Sequence, residues 1–248
     1  LCLNAAISVA KKREGFGIIC DDQLGREALH QASDHNLWIA RPAEVPKSWP
    51  LKFEDDVGED CSGFIAWPKN HIVKVLCYYN PKDPTEIKVE QERKLLILFN
   101  AARRNQLEFL LEIVVSLHHQ HQTEDIVSIV DRIYSLGIKP DWWKLEPLTT
   151  VDGWQELERL INSWDSLCRG VLLLGLDQPI DVLIKSFELA AKSPVVKGFA
   201  VGRSIFSDIA KDWFSDRLTD AESVRSMAEN FQLLCDKWKF VSQYRSQA

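Results

Sequence analysis

Lys144 stands inside Pro140-Asp141-Trp142-Trp143-Lys144-Leu145. This apolar run is bounded by turn formers: Gly137 and Pro140 on one side, Pro147, Thr149 and Thr150 on the other. Large and β-favouring residues packed this densely predict a buried strand. An ammonium is costly to bury unless it is paired. A desolvated lysine instead titrates near neutrality and attacks carbonyls. Lys144 is therefore read as the nucleophile that forms a Schiff base with a ketone. The plain alternative is a lysine at a strand end whose amine reaches solvent.

Two further polar groups sit in apolar strands, Lys74 in Ile72–Tyr79 and Glu112 in Glu108–Val115. Strand side chains alternate between barrel interior and helix layer. Trp142, Lys144 and Glu146 share one parity, as do Lys74, Leu76 and Tyr78, and Leu110, Glu112 and Val114. If these are the inward sets, Lys74, Glu112 and Lys144 meet on three consecutive strands. Lys74 would then depress the pKa of Lys144 by like-charge repulsion, and Glu112 would move protons during carbinolamine formation and dehydration. Without chemistry, the same grouping is a Lys–Glu ion pair inside a barrel.

Other strand ends supply binding groups. Gly202-Arg203-Ser204 closes the last strand and opens a helix, where backbone N–H groups and an arginine favour phosphate. The turn from Gly175 to Gln178 lies beside it in the expected order. Asp22 and Gln23 follow the first strand and Arg41 ends the second; these three are assigned to substrate. His118, His119 and His121 do not have the i, i+4 spacing of a helical zinc pair, so they are read as loop histidines. No metal or organic cofactor is expected.

The elements that must position these groups alternate along the chain. Strands are expected at Gly15–Cys20, Leu37–Ala40, Leu51–Glu54, Ile72–Tyr79, Glu108–Val115, Pro140–Leu145, Gly170–Leu176 and Gly198–Val201. Helical stretches separate most of them, and Thr219 is a good N-cap for the last helix. Several strands are apolar on both parities, the pattern of a parallel sheet covered by helices. Eight such units in 248 residues predict an α/β fold, a (β/α)8 TIM barrel, as one domain over residues 1–248. An open doubly wound sheet is the alternative, but no G-x-G-x-x-G follows the first strand.

The net charge of −6 argues against a nucleic-acid or anionic-membrane surface, and no apolar run reaches transmembrane length. Six cysteines without a C-x-x-C pair are read as reduced core thiols of a cytoplasmic protein. The only methionine is Met227, and the chain opens within a helical stretch, so a piece of a longer polypeptide is expected. The sequence leaves a homo-oligomer open.

Val73-Lys74-Val75-Leu76-Cys77-Tyr78-Tyr79-Asn80-Pro81 resembles a strand of the tagatose-bisphosphate aldolases, class I Schiff-base enzymes. Asp22-Gln23-Leu24-Gly25 resembles their D-Q-R-G, Leu111-Glu112 their "FLE", Trp143-Lys144-Leu145 their "LKV" and Gly202-Arg203 their final "GR". A wider similarity includes Trp38-Ile39-Ala40-Arg41-Pro42 and Pro50-Leu51-Lys52-Phe53-Glu54. It is to the C-terminal barrel fused to bacterial 5-dehydro-2-deoxygluconokinases of myo-inositol catabolism. That resemblance implies cleavage of 5-dehydro-2-deoxygluconate 6-phosphate to dihydroxyacetone phosphate and malonate semialdehyde. It also implies a covalently linked sugar-kinase domain, absent from this chain. Leu24 stands where the aldolase pattern has arginine, so that cation is lost or moved, with Arg41 as the substitute.

Two rivals stand beside the aldolase reading. One is a non-catalytic barrel that binds a sugar phosphate and regulates its fused kinase. The other is a kinase, for which this chain lacks a Gly-rich phosphate loop followed by Lys-Ser/Thr.

Overall fold

Strands that are apolar on both faces need cover on both, and this chain supplies it by winding strand and helix alternately. The computed structural model describes residues 1–115 and 123–243; His118, His119 and His121 lie outside them. Helix α1 (Cys2–Ala10) leads into strand β1 (Gly17–Ile19). The series continues with α2 (Arg26–Ala32), β2 (Trp38–Pro42), β3 (His71–Tyr78), α3 (Thr85–Arg104), β4 (Glu108–Val114) and α4 (Thr123–Ser135). It ends with β5 (Trp142–Leu145), α5 (Val151–Trp164), β6 (Gly170–Leu174), α6 (Ile180–Ala190), β7 (Val196–Ala200), α7 (Arg203–Phe214) and α8 (Asp220–Gln243). All neighbouring strands are parallel, and sheet order is chain order from β1 to β7. This is a curled α/β half-barrel of seven parallel strands.

The strand count differs from the expected eight. Leu51–Glu54 does not join the sheet; Phe53 makes an isolated antiparallel bridge with Glu44. The cause is visible in its own pattern. Leu51 and Phe53 are buried while Lys52 is exposed, the alternation of a strip with one wet face. A strand buried on both faces of a parallel sheet does not alternate in this way. The segment instead lies over the end of β2 as a cover, held by Val45 N–H to Lys52 O and Glu54 N–H to Ala43 O.

Among the described residues no hydrogen-bonded ladder joins β7 to β1. Helix α8 spans that seam. The ring of Phe231 meets Phe16, just before β1, at 6.0 Å and Phe199 of β7 at 6.3 Å, both edge-on. Cys2 Sγ of α1 reaches Met227 Sδ of α8 at 3.8 Å. A reciprocal box starts α8, with Thr219 Oγ1 accepting from Glu222 N–H and Glu222 Oε2 accepting from Thr219 N–H.

The interior is apolar at the strand N-terminal end. Ile19, Trp38, Ala40, Ile72, Leu110, Trp142 and Leu172 form one cluster drawn from six strands. The indoles of Trp38 and Trp142 meet edge-on at 6.0 Å from β2 and β5. Gly17 gives them room, since a Cβ there would lie 2.4 Å from Trp38 O and 3.1 Å from its ring. The helix layer packs on the other parity through Val73, Val75, Phe109, Leu111, Trp143, Val171 and Leu173. Cys61 and Cys77 are buried, but Cys2 is exposed, so the cysteines are not uniformly core residues. No described helix is long and apolar enough to cross a membrane.

His71, at the start of β3, is buried, and neither ring nitrogen has a hydrogen-bond partner among the described residues. Burial, then the nearby Arg41 charge, push its pKa below the usual histidine value. The unfolded chain therefore binds a proton below pH ~6.5 that the folded chain excludes, and stability falls as pH drops through that range. The expected result is that His71→Leu loses less melting temperature than the parent between pH ~7.5 and ~5.5. Thermal unfolding at both pH values checks it; equal losses would place the acid sensitivity elsewhere.

Candidate active site

The apolar layer sets the position of the polar one. Lys74, Glu112 and Lys144 lie two residues beyond Ile72, Leu110 and Trp142, so the strand period returns them to the interior one step nearer the C-terminal ends. There they form a row. Lys144 Nζ lies 3.0 Å from Glu112 Oε1, and Lys74 Nζ lies 2.9 Å from Glu112 Oε2. A fourth member, Glu44, extends the row, with Oε1 2.5 Å from Lys74 Nζ. All four side chains are buried, Lys144 at 9% exposure.

The two lysines differ in their partners, and this separates their proton affinities. Burial pushes the Lys144 amine down; Glu112 opposes and Lys74 adds repulsion, and the outcome lies below the ordinary lysine value. Burial also acts on Lys74, but Glu44 and Glu112 together outweigh it and hold its proton firmly. Burial raises Glu112, yet the two lysines prevail and keep it below the usual carboxylate range. For Glu44, burial prevails over the adjacent Lys74 and the pKa rises. The two lysines are thus shifted in opposite directions, Lys74 up and Lys144 down.

The rim is built from loops. Gly202 precedes α7 and accepts from Ile205 N–H and Phe206 N–H. Arg203 Nη1 lies 3.2 Å from Asp177 Oδ2, and Ser204 Oγ donates to Gln178 O at 2.7 Å. Gly175 lets the two turns approach, because a Cβ there would meet Val201 Cγ1 at 2.6 Å. Asp22 pairs with Arg26 at 3.4 Å and Arg41 at 3.5 Å, and Gln23 donates to Glu54 at 2.6 Å. Leu24 is 96% exposed at the tip of the same turn.

Arg41 is not brought to the lysine row. On β2 the inward parity is Trp38 and Ala40, so Arg41 projects to the other face. Its guanidinium sits 4.0 Å over the Trp67 ring and pairs with Asp22 and, at 3.6 Å, with Asp56. Its place in the structure is to hold Asp22.

Sequence reasoning missed one site residue, Glu44, and put another, Tyr78, on the inward parity without giving it a role. Glu44 continues the Trp38, Ala40, Pro42 parity beyond the proline that ends β2, so extending the period would have found it. Tyr78 shares the parity of Lys74 and is half-buried at the end of β3. Burial and Glu112 raise its phenol pKa, while Lys74 and Arg203 oppose. It feels both the row and the rim arginine.

The fold is similar to that of fructose-bisphosphate aldolase from Plasmodium falciparum, with a TM-score of 0.67 and 14% identity over 100% of this chain and 82% of the other. It is also similar to Cgl0159 from Corynebacterium glutamicum, with a TM-score of 0.57 and 18% identity over 92% of this chain and 75% of the other. At such identities the likeness is one of fold. A comparison with curated proteins finds no sequence match. A family model matches residues 1–242, and the chain belongs to that family, described as "Uncharacterized protein conserved in bacteria (DUF2090)".

Proposed function

We propose that this chain is a class I aldolase that cleaves a ketose phosphate through a Schiff base on Lys144. The observation that carries the reading is the unequal pairing of two buried lysines around one glutamate. The Lys144 amine attacks the ketone, and loss of water gives an iminium. Glu112 takes the β-hydroxyl proton, directly or through water. As the carbon–carbon bond breaks, its electron pair moves into the iminium, leaving an enamine on Lys144 and releasing an aldehyde. Protonation and hydrolysis of that enamine free the ketone product. The charge on Lys74 disfavours an ammonium at Lys144 without competing for the carbonyl.

We assign the substrate phosphate to Gly175, Gly202, Arg203 and Ser204, and substrate hydroxyls to Asp22 and Gln23, with Arg41 holding Asp22. Resemblance to the barrels of myo-inositol catabolism supports 5-dehydro-2-deoxygluconate 6-phosphate as the substrate. Lys144 would then condense at the ketone and the β-hydroxyl would become the aldehyde of malonate semialdehyde, with dihydroxyacetone phosphate as the other product. The same resemblance supports a linked sugar-kinase domain and a cytoplasmic setting.

The test is borohydride reduction in the presence of candidate ketose phosphates, followed by peptide mass mapping. The reading expects a reduced adduct on the peptide carrying Lys144. No adduct with any of them leaves a sugar-phosphate-binding barrel and removes the enzyme.

The rim gives a smaller expectation. Asp177 holds Arg203 in an exposed pair. Asp177→Asn frees the guanidinium and tightens inhibition by inorganic phosphate roughly two- to fivefold, the range of exposed ion pairs. Unchanged phosphate inhibition would move the phosphate away from Arg203.

A further inference from the structure

The row Glu44, Lys74, Glu112, Lys144 holds two carboxyls and two amines, with successive contacts of 2.5, 2.9 and 3.0 Å. Fully ionised, its formal charge is zero. A nucleophilic Lys144 must shed a proton, and losing it to solvent leaves a buried row with one unbalanced negative charge. An unbalanced buried charge is expensive. Moving the proton within the row avoids that imbalance.

Glu44 is the member built to receive it. Its side chain is 7% exposed, Oε1 faces Lys74, and Oε2 is buried with no partner among the described residues. We propose that Glu44 stores the proton that Lys144 gives up and returns it when water leaves the carbinolamine. It is a positioning residue that acts through Lys74 and Glu112, not on the substrate. This inference rests on the aldolase reading for its return step.

The transfer balances. Lys74 passes a proton to Glu44 and is refilled from Glu112, which takes the proton leaving Lys144; a half-turn of the Glu112 carboxyl presents it to Lys74. The amine then adds to the ketone. On dehydration the departing oxygen takes one proton from the nitrogen and one returned from Glu44 along the same groups. The products are iminium, water and the Glu44 carboxylate, with no proton exchanged with solvent. Burial pushes the Glu44 pKa up, and Lys74 opposes it. Among the described residues, the groups whose charge reaches Glu44 include Lys74, Glu112, Lys144, Tyr78 and Cys77. The last two have raised pKa values and keep their protons at neutral pH.

Infrared difference spectroscopy on the full chain tests this. The resting protein at neutral pH should show the carbonyl band of a buried, un-ionised carboxylic acid that shifts in heavy water. The band should vanish as dihydroxyacetone phosphate forms the imine. It should be missing from Glu44→Gln and present in Glu44→Asp, which keeps an acid at that position. A second readout is the trapped imine fraction against pH. The wild type should be flat from pH ~6 to ~8, since no net proton is exchanged. Glu44→Gln removes a negative charge that favours the Lys144 ammonium and must draw the dehydration proton from solvent, so its imine equilibrium should fall about tenfold per pH unit. A wild-type protein with no acid band, or one whose imine forms with the band intact, overturns the proposal without any variant. A flat profile in Glu44→Gln overturns it as well. No imine at any pH overturns the aldolase reading and the return step, and the resting band separates that failure from a failure at Glu44.

Discussion

Lys144→Met is expected to fold normally and to lose imine trapping outright, with cleavage reduced roughly 10^4-fold or more, the scale on which an enzyme loses rate with its covalent nucleophile. The fold survives because the row needs this amine least. Glu112 keeps Lys74 at 2.9 Å, and Glu44, whose pKa burial already raises, can absorb the change by holding a proton. Methionine also replaces a buried amine with an apolar chain of similar length, so the melting temperature is expected to hold or rise. Lys144→Arg is the sharper control. Guanidinium stays protonated, so it keeps hydrogen-bond donors beside Glu112 and still forms no imine. Lys74→Met should behave differently. It leaves Glu44 and Glu112 without their shared ammonium, removes the repulsion on Lys144, and therefore loses stability as well as rate. Turnover, trapping and thermal unfolding on the three variants give the comparison. An adduct that persists in Lys144→Met, or maps to Lys74, would end the assignment of Lys144.

The barrel and the row were legible for a simple reason. A period of two, applied to Ile72–Tyr79, Glu108–Val115 and Pro140–Leu145, needs no tertiary information to put Lys74, Glu112 and Lys144 on common parities. What the period cannot say is which strip of alternating residues joins the sheet. Leu51–Glu54 has strand composition, but its wet face at Lys52 makes it a cover. Nor does local pattern show which face of a strand looks inward when the strand is short. Arg41 looked available for substrate, while the structure turns it to Trp67, Asp22 and Asp56. Glu44 was hidden by Pro42, which reads as a stop. The seam closure by Phe16, Phe199 and Phe231 joins residues far apart in the chain, and only packing brings them together.

Glu112→Gln is expected to destabilise the fold by about 3–5 kcal/mol at neutral pH, the usual loss when one partner of a buried ion pair is removed. Two amines now face a neutral amide from 2.9 and 3.0 Å. Lys74 retains Glu44, which gives up its stored proton, whereas the Lys144 amine loses the only close carboxylate it has among the described residues. The loss of stability should therefore reside in Lys144. Adding Lys144→Met to Glu112→Gln removes the stranded amine, and the double variant should recover most of the melting temperature, a coupling on the scale found for contacting buried groups. The pH dependence has a definite sign. The folded pKa of Glu112 lies below its unfolded value, so its contribution is present above pH ~4.3 and is lost as pH falls through the folded pKa. The gap between wild type and Glu112→Gln should accordingly be wide at neutrality and narrow in acid. Thermal unfolding of the two single variants and the double variant at neutral and acid pH measures both effects. If Glu112→Gln is as damaging with methionine at position 144 as with lysine, Glu112 supports the barrel by some other contact, and the buried row is not the charge-coupled unit that the proposed chemistry requires.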